Sequence, residues 1–375
     1  MREKMNNENS NEKVRELYFE LKRQMNTSYD MVVPSDRLIA VKNGNQLALD
    51  IVLTDEEKAN LPNYNTTHDV NSWAKKQIAT KTGIPLKYFR KMEDNGKIDL
   101  LADNVNTWMP DKEKRMVRVL DGNVRALLSS KYKPINNYDV LFLTIDEIKK
   151  VRENGMLVDT VDARVSDTKL YLKLTSPDLS ADIEKFNGIQ QTEPVQGGMI
   201  ISNSEVGNGA FCVQPFINVL VCTNGLISDR ALRKVHVGAD RKVGLIEWSD
   251  ETKKLDDELL FSKIRDMIQK TFNKEIFNQW IDEINEVAKI KVPKPRIAIQ
   301  KIAKHFNLTK LEEEDILNEF ISNAPNTGST QWGMSMAVTR VAQDSSNYDN
   351  RIEMEEIGAK LLKKEATPLV VSETE

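Results

Sequence analysis

Residues 116–128 have the sequence MVRVLDGNVRALL, and this stretch decides how the middle of the chain folds. Apolar runs on both sides of Asp121-Gly122-Asn123 indicate two short strands joined by a tight turn. An Asp-Gly pair favours such a turn because its backbone reaches positive φ at low cost. The pattern therefore predicts a β-hairpin that brings Arg118 and Arg125 close together.

Similar patterns extend from this hairpin in both directions. Towards the N-terminus, an Asn-Gly pair at residues 43–44 predicts a second hairpin over residues 36–53. Towards the C-terminus, residues 138–151 predict a helix, and residues 169–174 alternate like a half-buried strand. Residues 175–198 contain several Pro and Gly, and we predict a long connection there.

The last third of the chain has a different spacing of apolar residues. After Gly244 the apolar residues recur three or four positions apart up to the C-terminus, a spacing typical of amphipathic helices. The predicted fold class is α+β, with an antiparallel β-sheet body and packed helices, followed by an all-α C-terminal region. The predicted division is an N-terminal helix and hairpin (1–60), an α+β core (61–245) and a helical C-terminal region (246–375).

The composition excludes several classes of protein. The 375 residues carry 53 Lys and Arg against 57 Asp and Glu, a net charge of −4, which excludes a histone-like polycation. Two cysteines, Cys212 and Cys222, and three scattered histidines are too few for a disulfide framework or a zinc module. No apolar run approaches the roughly 18 residues of a membrane span. We expect a soluble, cytoplasmic protein with no membrane partner.

The sequence gives little support for an enzyme. It contains no G-x-x-x-x-G-K-[ST], G-x-S-x-G or H-E-x-x-H motif. Asp139 and Glu147 leave a Mg²⁺ nuclease open as an alternative, but both lie in a predicted helix, where an exposed polar face is the simpler interpretation. We therefore predict no catalytic residue, no metal site and no cofactor.

Basic residues cluster in three tracts although the chain is acidic overall. Residues 111–133 hold seven Lys and Arg against three acids, and residues 229–242 hold five against two. Residues 289–310 hold seven with no acid. A nucleic-acid backbone favours such clusters because each neutralised phosphate releases condensed counterions. For the third tract, an ordinary solvated helix face is the alternative.

We predict that the first two tracts contact nucleic acid. Tyr132 stands between two lysines and is the predicted stacking platform for an unpaired base. The predicted nucleic-acid-binding residues are Arg115, Arg118, Arg125, Lys131, Tyr132, Lys133, Arg230, Arg233, Lys234 and His236.

Two long blocks of sequence resemble a phage- and plasmid-borne family described as a domain of unknown function. These blocks are VRVLDGNVRALLSSKYKPINNYDVL at residues 117–141 and IISNSEVGNGAFCVQPFINVLVCTNGLI at residues 200–227. Three shorter blocks are similar to the same family: LLADNVNTWM (100–109), KVHVG (234–238) and GMSMAVTRVAQ (333–343). The resemblance covers most of the chain and implies the context of mobile-element DNA-processing proteins, but it assigns no functional residue.

The leading hypothesis is a non-enzymatic, homo-oligomeric phage or plasmid protein that binds single-stranded DNA during replication or recombination, with strand annealing as one such role. The predicted order of strands and helix is similar to that of ring-forming annealing proteins, which is an analogy of architecture alone. The alternative is a protein-interaction module that docks on a host protein, such as a defence or replication factor. The choice between DNA and RNA, and the oligomer size, stay open at this point.

Overall fold

The N-terminal half of the chain alternates helices with short strands. The computed structural model describes residues 2–59, 66–109, 113–186, 190–220, 225–228, 232–234, 242–243, 246–247, 250–345 and 347–371. The first elements are, in chain order, helix α1 (Arg2–Thr27), strands β1 (Ser28–Pro34), β2 (Leu38–Asn43) and β3 (Gln46–Ile51), helix α2 (Asp55–Ala59), strand β4 (Thr67–Asp69), helices α3 (Ser72–Thr82), α4 (Leu86–Asp94) and α5 (Ile98–Trp108), strands β5 (Lys114–Leu120) and β6 (Asn123–Ser129), and helix α6 (Asn137–Glu153).

Strands β5 and β6 form the hairpin that the Asp-Gly pair predicts. Leu120 pairs with Asn123, so Asp121 and Gly122 make a two-residue loop, and their φ angles are 50° and 77°. Positive φ at both positions is typical of a type I′ turn, which matches the right-handed twist of the flanking strands. Strand β1 pairs with β5 along its length and completes a three-stranded antiparallel sheet.

The second predicted hairpin, β2–β3, is also confirmed. Asn43 pairs with Gln46, and β4 adds a third antiparallel strand on the other side of β3. Val70, directly after β4, bridges to Val124 of β6 and so joins the two three-stranded sheets. These sheets and helices α3, α4 and α5 enclose one apolar core, which includes Leu49 and Ile78.

A larger antiparallel sheet occupies the middle of the chain. Its strands have the order β11-β10-β9-β8-β7, and β12 also pairs with β10; β13 and β14 pair with each other. The strand bounds are β7 (Asp159–Val165), β8 (Leu170–Phe186), β9 (Gln190–Asn203), β10 (Phe211–Val219), β11 (Gly225–Ile227), β12 (Leu232–Lys234), β13 (Lys242–Val243) and β14 (Ile246–Glu247).

The prediction of a long connection over residues 175–198 is wrong, because most of this segment belongs to the long β8–β9 hairpin. The pairing register shifts between Thr175 and Ser180, and Pro177 lies at this irregularity, where a strand tolerates a residue without an N–H donor. Gly198 is needed for close backbone approach, since a Cβ there would collide with the carbonyl of Leu174. Pro177 and Gly198 are unfavourable in regular strands, and here they lie at a bulge and at a close backbone contact.

The C-terminal region is helical from α7 to α13, as predicted. Asn273 caps α8, its side-chain oxygen accepting N–H bonds from Glu275 (2.9 Å) and Ile276 (3.0 Å). The helices are α7 (Asp250–Thr271), α8 (Lys274–Ala288), α9 (Pro295–Phe306), α10 (Lys310–Thr327), α11 (Gln331–Gln343), α12 (Tyr348–Leu361) and α13 (Thr367–Val370).

The large sheet lies between two sets of helices. One face packs against α1, α6, α7 and α8 in the largest apolar core of the described residues, and the other face receives α12 through a smaller cluster around Phe216 and Ile352. A third cluster holds α9 to α13 together. The α+β fold class is thus confirmed. None of the helices that the structure describes has the length and apolar character needed to cross a membrane.

Candidate nucleic-acid interface

Arg118 and Arg125 lie in the interior of the protein. Their side chains are on the face of β5 and β6 that the loop after β9 covers, and the two residues are only 4% and 6% exposed. The Arg118 guanidinium donates from Nε to Asp30 Oδ1 (2.8 Å) and from Nη1 to the carbonyl of Glu205 (2.6 Å). Arg125 Nη2 donates to Glu205 Oε2 at 2.8 Å. The predicted phosphate contact at these two arginines is therefore wrong in this structure, because both guanidinium groups are buried and each is already paired with a carboxylate.

Glu205 holds this cluster together. Its second oxygen, Oε1, accepts the backbone N–H of Asn137 at 2.6 Å, at the first residue of α6. A carboxylate is stable there because the helix N-terminus carries partial positive charge and unpaired N–H groups. The segments at residues 117–141 and 200–227 thus contact each other through Glu205.

Tyr132 supports the same loop. Its hydroxyl donates to the carbonyl of Ser204 at 2.9 Å, and its ring packs with Trp73 and Met116 against a small apolar cluster. Burial raises the pKa of the Tyr132 hydroxyl to about 12. The ring is half-buried, so the predicted stacking role of Tyr132 is at most secondary to its packing role.

A cavity of about 230 Å³ lies beside the buried arginines. Its charged lining consists of Arg118 and Arg125 against Asp30, Asp139 and Glu205, so the carboxylates outnumber the cations. A polyanion would be repelled by this excess of negative charge. The cavity is therefore not a phosphate site.

The other cations of the first tract that the structure describes lie at the open end of the β5–β6 hairpin. Arg115 pairs with Ser129 in the strand register, so Lys114, at the start of β5, and Lys131, just after β6, project from the same end. Lys114 and Lys131 are exposed, whereas Lys133 is partly covered. Arg115 contacts the carboxylate of Glu113.

Helix α3, which packs against β6, contributes two further lysines that were not among the residues predicted from the sequence. The pKa of Lys81 is lowered by burial and by the charge of Arg115, while Glu113 acts in the opposite direction, so Lys81 lies near both charged groups. The Lys76 amine lies 5.0 Å from the centroid of the Trp73 ring, a cation–π distance. Residues 70–92 contain six Lys and Arg and no acid. This fourth basic tract is the sequence pattern that could have indicated both lysines. We call Lys76, Lys81, Lys114, Arg115, Lys131 and Lys133 the open-end patch.

The second predicted tract is only partly described. Arg233 and Lys234 lie on β12, where the backbone pairs with Cys212 and Phe211 of β10. Arg230 and His236 lie outside the described residues. The predicted roles of these four residues stay predictions.

The third tract forms an exposed basic face on α9. Its ion pairs are at its two ends, Lys289 with Glu184 (3.3 Å) and Lys310 with Glu313 (2.8 Å). Between these ends, Arg296, Lys301 and Lys304 are exposed. These three cations make a second basic surface, built from one helix.

Asp139 and Glu147 do not converge as a nuclease site requires. Asp139 is exposed in the first turn of α6, whereas Glu147 lies two turns further along the helix and is fully buried. Glu147 accepts hydrogen bonds from Lys150 (2.7 Å) and from Gln269 of α7 (3.0 Å). Within the part of the chain that the structure describes, no group of three His, Cys, Asp or Glu is placed to hold a metal ion.

Comparisons of the chain with protein-family models, with curated proteins and with solved structures give no match. The interpretation of the site therefore depends on its own geometry.

Proposed function

We propose that the protein binds single-stranded nucleic acid at the open-end patch and acts without catalysis in phage or plasmid recombination or replication, strand annealing included. One observation carries the proposal: the exposed Lys114 and Lys131 lie at the open end of the β5–β6 hairpin, and helix α3 packs against β6. On α3, Lys81 lies near Arg115, and Lys76 lies beside the half-buried ring of Trp73. Clustered cations supply the sequence-independent affinity of such proteins, and an aromatic ring supplies stacking.

Trp73 is a second aromatic residue, beside Tyr132, that supplies a ring to the proposed site. The Trp73 indole nitrogen donates to the carbonyl of Val206 at 2.9 Å, which fixes the ring in place. Because the Lys76 amine stands 5.0 Å from the ring centroid, a strand bound here has a phosphate near the amine and a base near the indole. A duplex keeps its bases stacked inside, so this arrangement favours a single strand.

The test is fluorescence anisotropy with a labelled oligothymidine strand over a series of salt concentrations. Lys114→Glu with Lys131→Glu reverses two exposed charges of the open-end patch. Lys301→Glu with Lys304→Glu makes the same charge change on the exposed face of α9 and serves as the matched control. We expect the first pair to weaken binding at least about tenfold and to flatten the salt dependence, since each lost phosphate contact lowers the single-strand slope by about 0.7.

The control pair should weaken binding less than about threefold, because it changes only the long-range field of the protein. Equal losses in both double variants, or a larger loss on α9, would overturn the assignment to the open-end patch. Absence of binding by the unaltered chain at low salt would overturn the function itself and would favour the protein-interaction alternative.

A further inference from the structure

A second cavity lies between α1 and α6 and differs in chemistry from the cavity beside the buried arginines. It measures about 440 Å³, opens to solvent and is lined by α1, α6 and strands β7 and β8. Its walls are aliphatic: Val14 comes from α1, Leu141 and Ile148 from α6, and Leu172 and Leu174 from β8. The volume is within the range of small-molecule sites, roughly 300–1,000 Å³.

The cavity is a pocket open to the surface and is large enough for a small ligand. Concave, mostly apolar pockets of this size are typical of small-molecule sites. Apolar walls do not hold water well, because a buried water needs two to four polar partners. Ile145 lines the cavity and is 39% exposed, so a route to solvent passes beside it.

The charged residues of the lining all have the same sign. Arg15, Lys149 and Arg152 line the cavity, and no Asp or Glu is among the described residues of its lining. Arg152 is held in position by donating from Nη2 to the carbonyl of Val158 at 2.5 Å, and the Arg15 guanidinium lies 5.6 Å from the centroid of Phe19. All three side chains are exposed, so their charged ends stand where the cavity meets water.

We propose that this cavity binds a single-chain amphiphile with an anionic head group, of the kind represented by a medium-chain fatty acid. The alkyl chain lies among the aliphatic residues of α6 and β8, where its burial supplies the affinity. The carboxylate lies at the mouth near Arg15, Lys149 and Arg152, which supply the preference for negative charge. This site is independent of the proposed nucleic-acid function.

The experiment is isothermal titration calorimetry of the full chain with decanoate below its micelle concentration, beside decanol and decyltrimethylammonium. We expect saturable binding of decanoate, and binding of the other two that is at least about tenfold weaker, since they lack the attraction to three cations. Equal affinity for all three compounds, or no saturable binding of decanoate, would overturn the proposal.

Two variants locate the site. Lys149→Glu should weaken decanoate binding about tenfold, whereas Lys301→Glu on α9 should change it less than about twofold. Ile145→Trp should abolish binding because the larger ring fills the cavity, and its partly exposed position allows the chain to fold. Circular dichroism checks the fold of each variant. Unchanged decanoate affinity in folded Ile145→Trp would place the ligand elsewhere and overturn the assignment.

Discussion

The middle of the β5–β6 hairpin and its open end belong to one basic tract but differ in what surrounds their cations. In the middle, Arg118 and Arg125 are buried against Asp30 and Glu205. At the open end, lysines such as Lys131 extend into solvent. The loop after β9 covers Arg118 and Arg125 in the middle of the hairpin, whereas Lys114 and Lys131 at its end are exposed. This difference shows that the segments packed over a cation decide whether it stabilises the fold or is accessible to a ligand. The local density of charge does not decide this.

Lys173 is a third interior cation and extends this comparison to the docking of α12 on the large sheet. Its amine contacts the carboxylate of Glu355, which is fully buried, and burial lowers the pKa of Lys173. The neighbouring Tyr171 hydroxyl donates to Asp349 at 2.6 Å and the Tyr348 hydroxyl to Asp162 at 2.8 Å. This network joins β7 and β8 to α12, so we expect it to stabilise the contact between the sheet and the C-terminal helices.

The largest expected effect is the loss of this buried pair. Lys173→Met leaves the Glu355 carboxylate buried without its main partner and should lower the free energy of unfolding by about 3–5 kcal/mol. Urea unfolding followed by circular dichroism measures the change. Lys173→Met together with Glu355→Leu should recover most of the loss, because two apolar residues replace both charges. A double variant as unstable as the single one would show that the charges themselves are needed.

Breaking the hairpin cluster should cost less. Arg125→Met should lower the free energy of unfolding by about 3 kcal/mol, since Glu205 keeps only the N–H of Asn137 for its carboxylate. Glu205→Gln should cost about 1–2 kcal/mol because an amide oxygen still accepts hydrogen bonds. The midpoint of urea unfolding measures both. A loss under about 0.5 kcal/mol for Arg125→Met would show that the buried and exposed cations of the tract are equivalent.

Tyr132 lies between the two regions and gives a pH-dependent test. Its folded-state pKa of about 12 is above the unfolded value of 10, so the unfolded chain releases this proton first. The stability from the neutral hydroxyl is therefore complete below pH 10 and is lost as the pH rises through about 12. Between pH 10 and about pH 12 the unaltered chain should lose stability as Tyr132 ionises. Phenylalanine has no ionisable hydroxyl, so the stability of Tyr132→Phe should fall by about 2 kcal/mol less.

Chemical denaturation at several pH values compares the Tyr132→Phe variant with the unaltered chain. Near pH 7 the variant should lose only about 1 kcal/mol, the value of its hydrogen bond to Ser204. Parallel stability curves for the two chains above pH 10 would show that Tyr132 ionises freely in the folded protein.

The smallest expected effects are at the open end. Lys114→Ala and Lys131→Ala should each change the free energy of unfolding by less than about 0.5 kcal/mol, because neither side chain is buried. The same measurement on Lys301→Ala gives the reference for an exposed lysine on α9. A loss above about 1 kcal/mol at Lys114 or Lys131 would mean that the open end is structural, like the middle of the hairpin.

Much of the fold was predictable because local interactions decide it. The Asp121-Gly122 turn, the β2–β3 hairpin and the C-terminal helices depend on turn chemistry and on apolar spacing within short windows. The β8–β9 hairpin was missed because Pro177 and Gly198 are unfavourable in strands by themselves. Their compensation, a bulge and a close contact with the Leu174 carbonyl, comes from pairing between residues that are distant in sequence.

The candidate site was predictable only in part. The sequence correctly marked residues 111–133 as a basic tract, but Arg118 finds its carboxylate partner 88 residues away and Arg125 finds its partner 80 residues away. The contribution of Lys76 and Lys81 depends in the same way on how α3 packs against β6. Sequence spacing contains no information about such pairs.

The amino-acid sequence by itself determined which segments form hairpins and helices, and where cations are concentrated, since both follow from neighbouring residues along the chain. Only the tertiary structure decided which of those cations are covered and which face water. The physical reason is that a buried charge requires a partner brought close by folding, and in this protein the partners of Arg118, Arg125 and Lys173 come from distant segments.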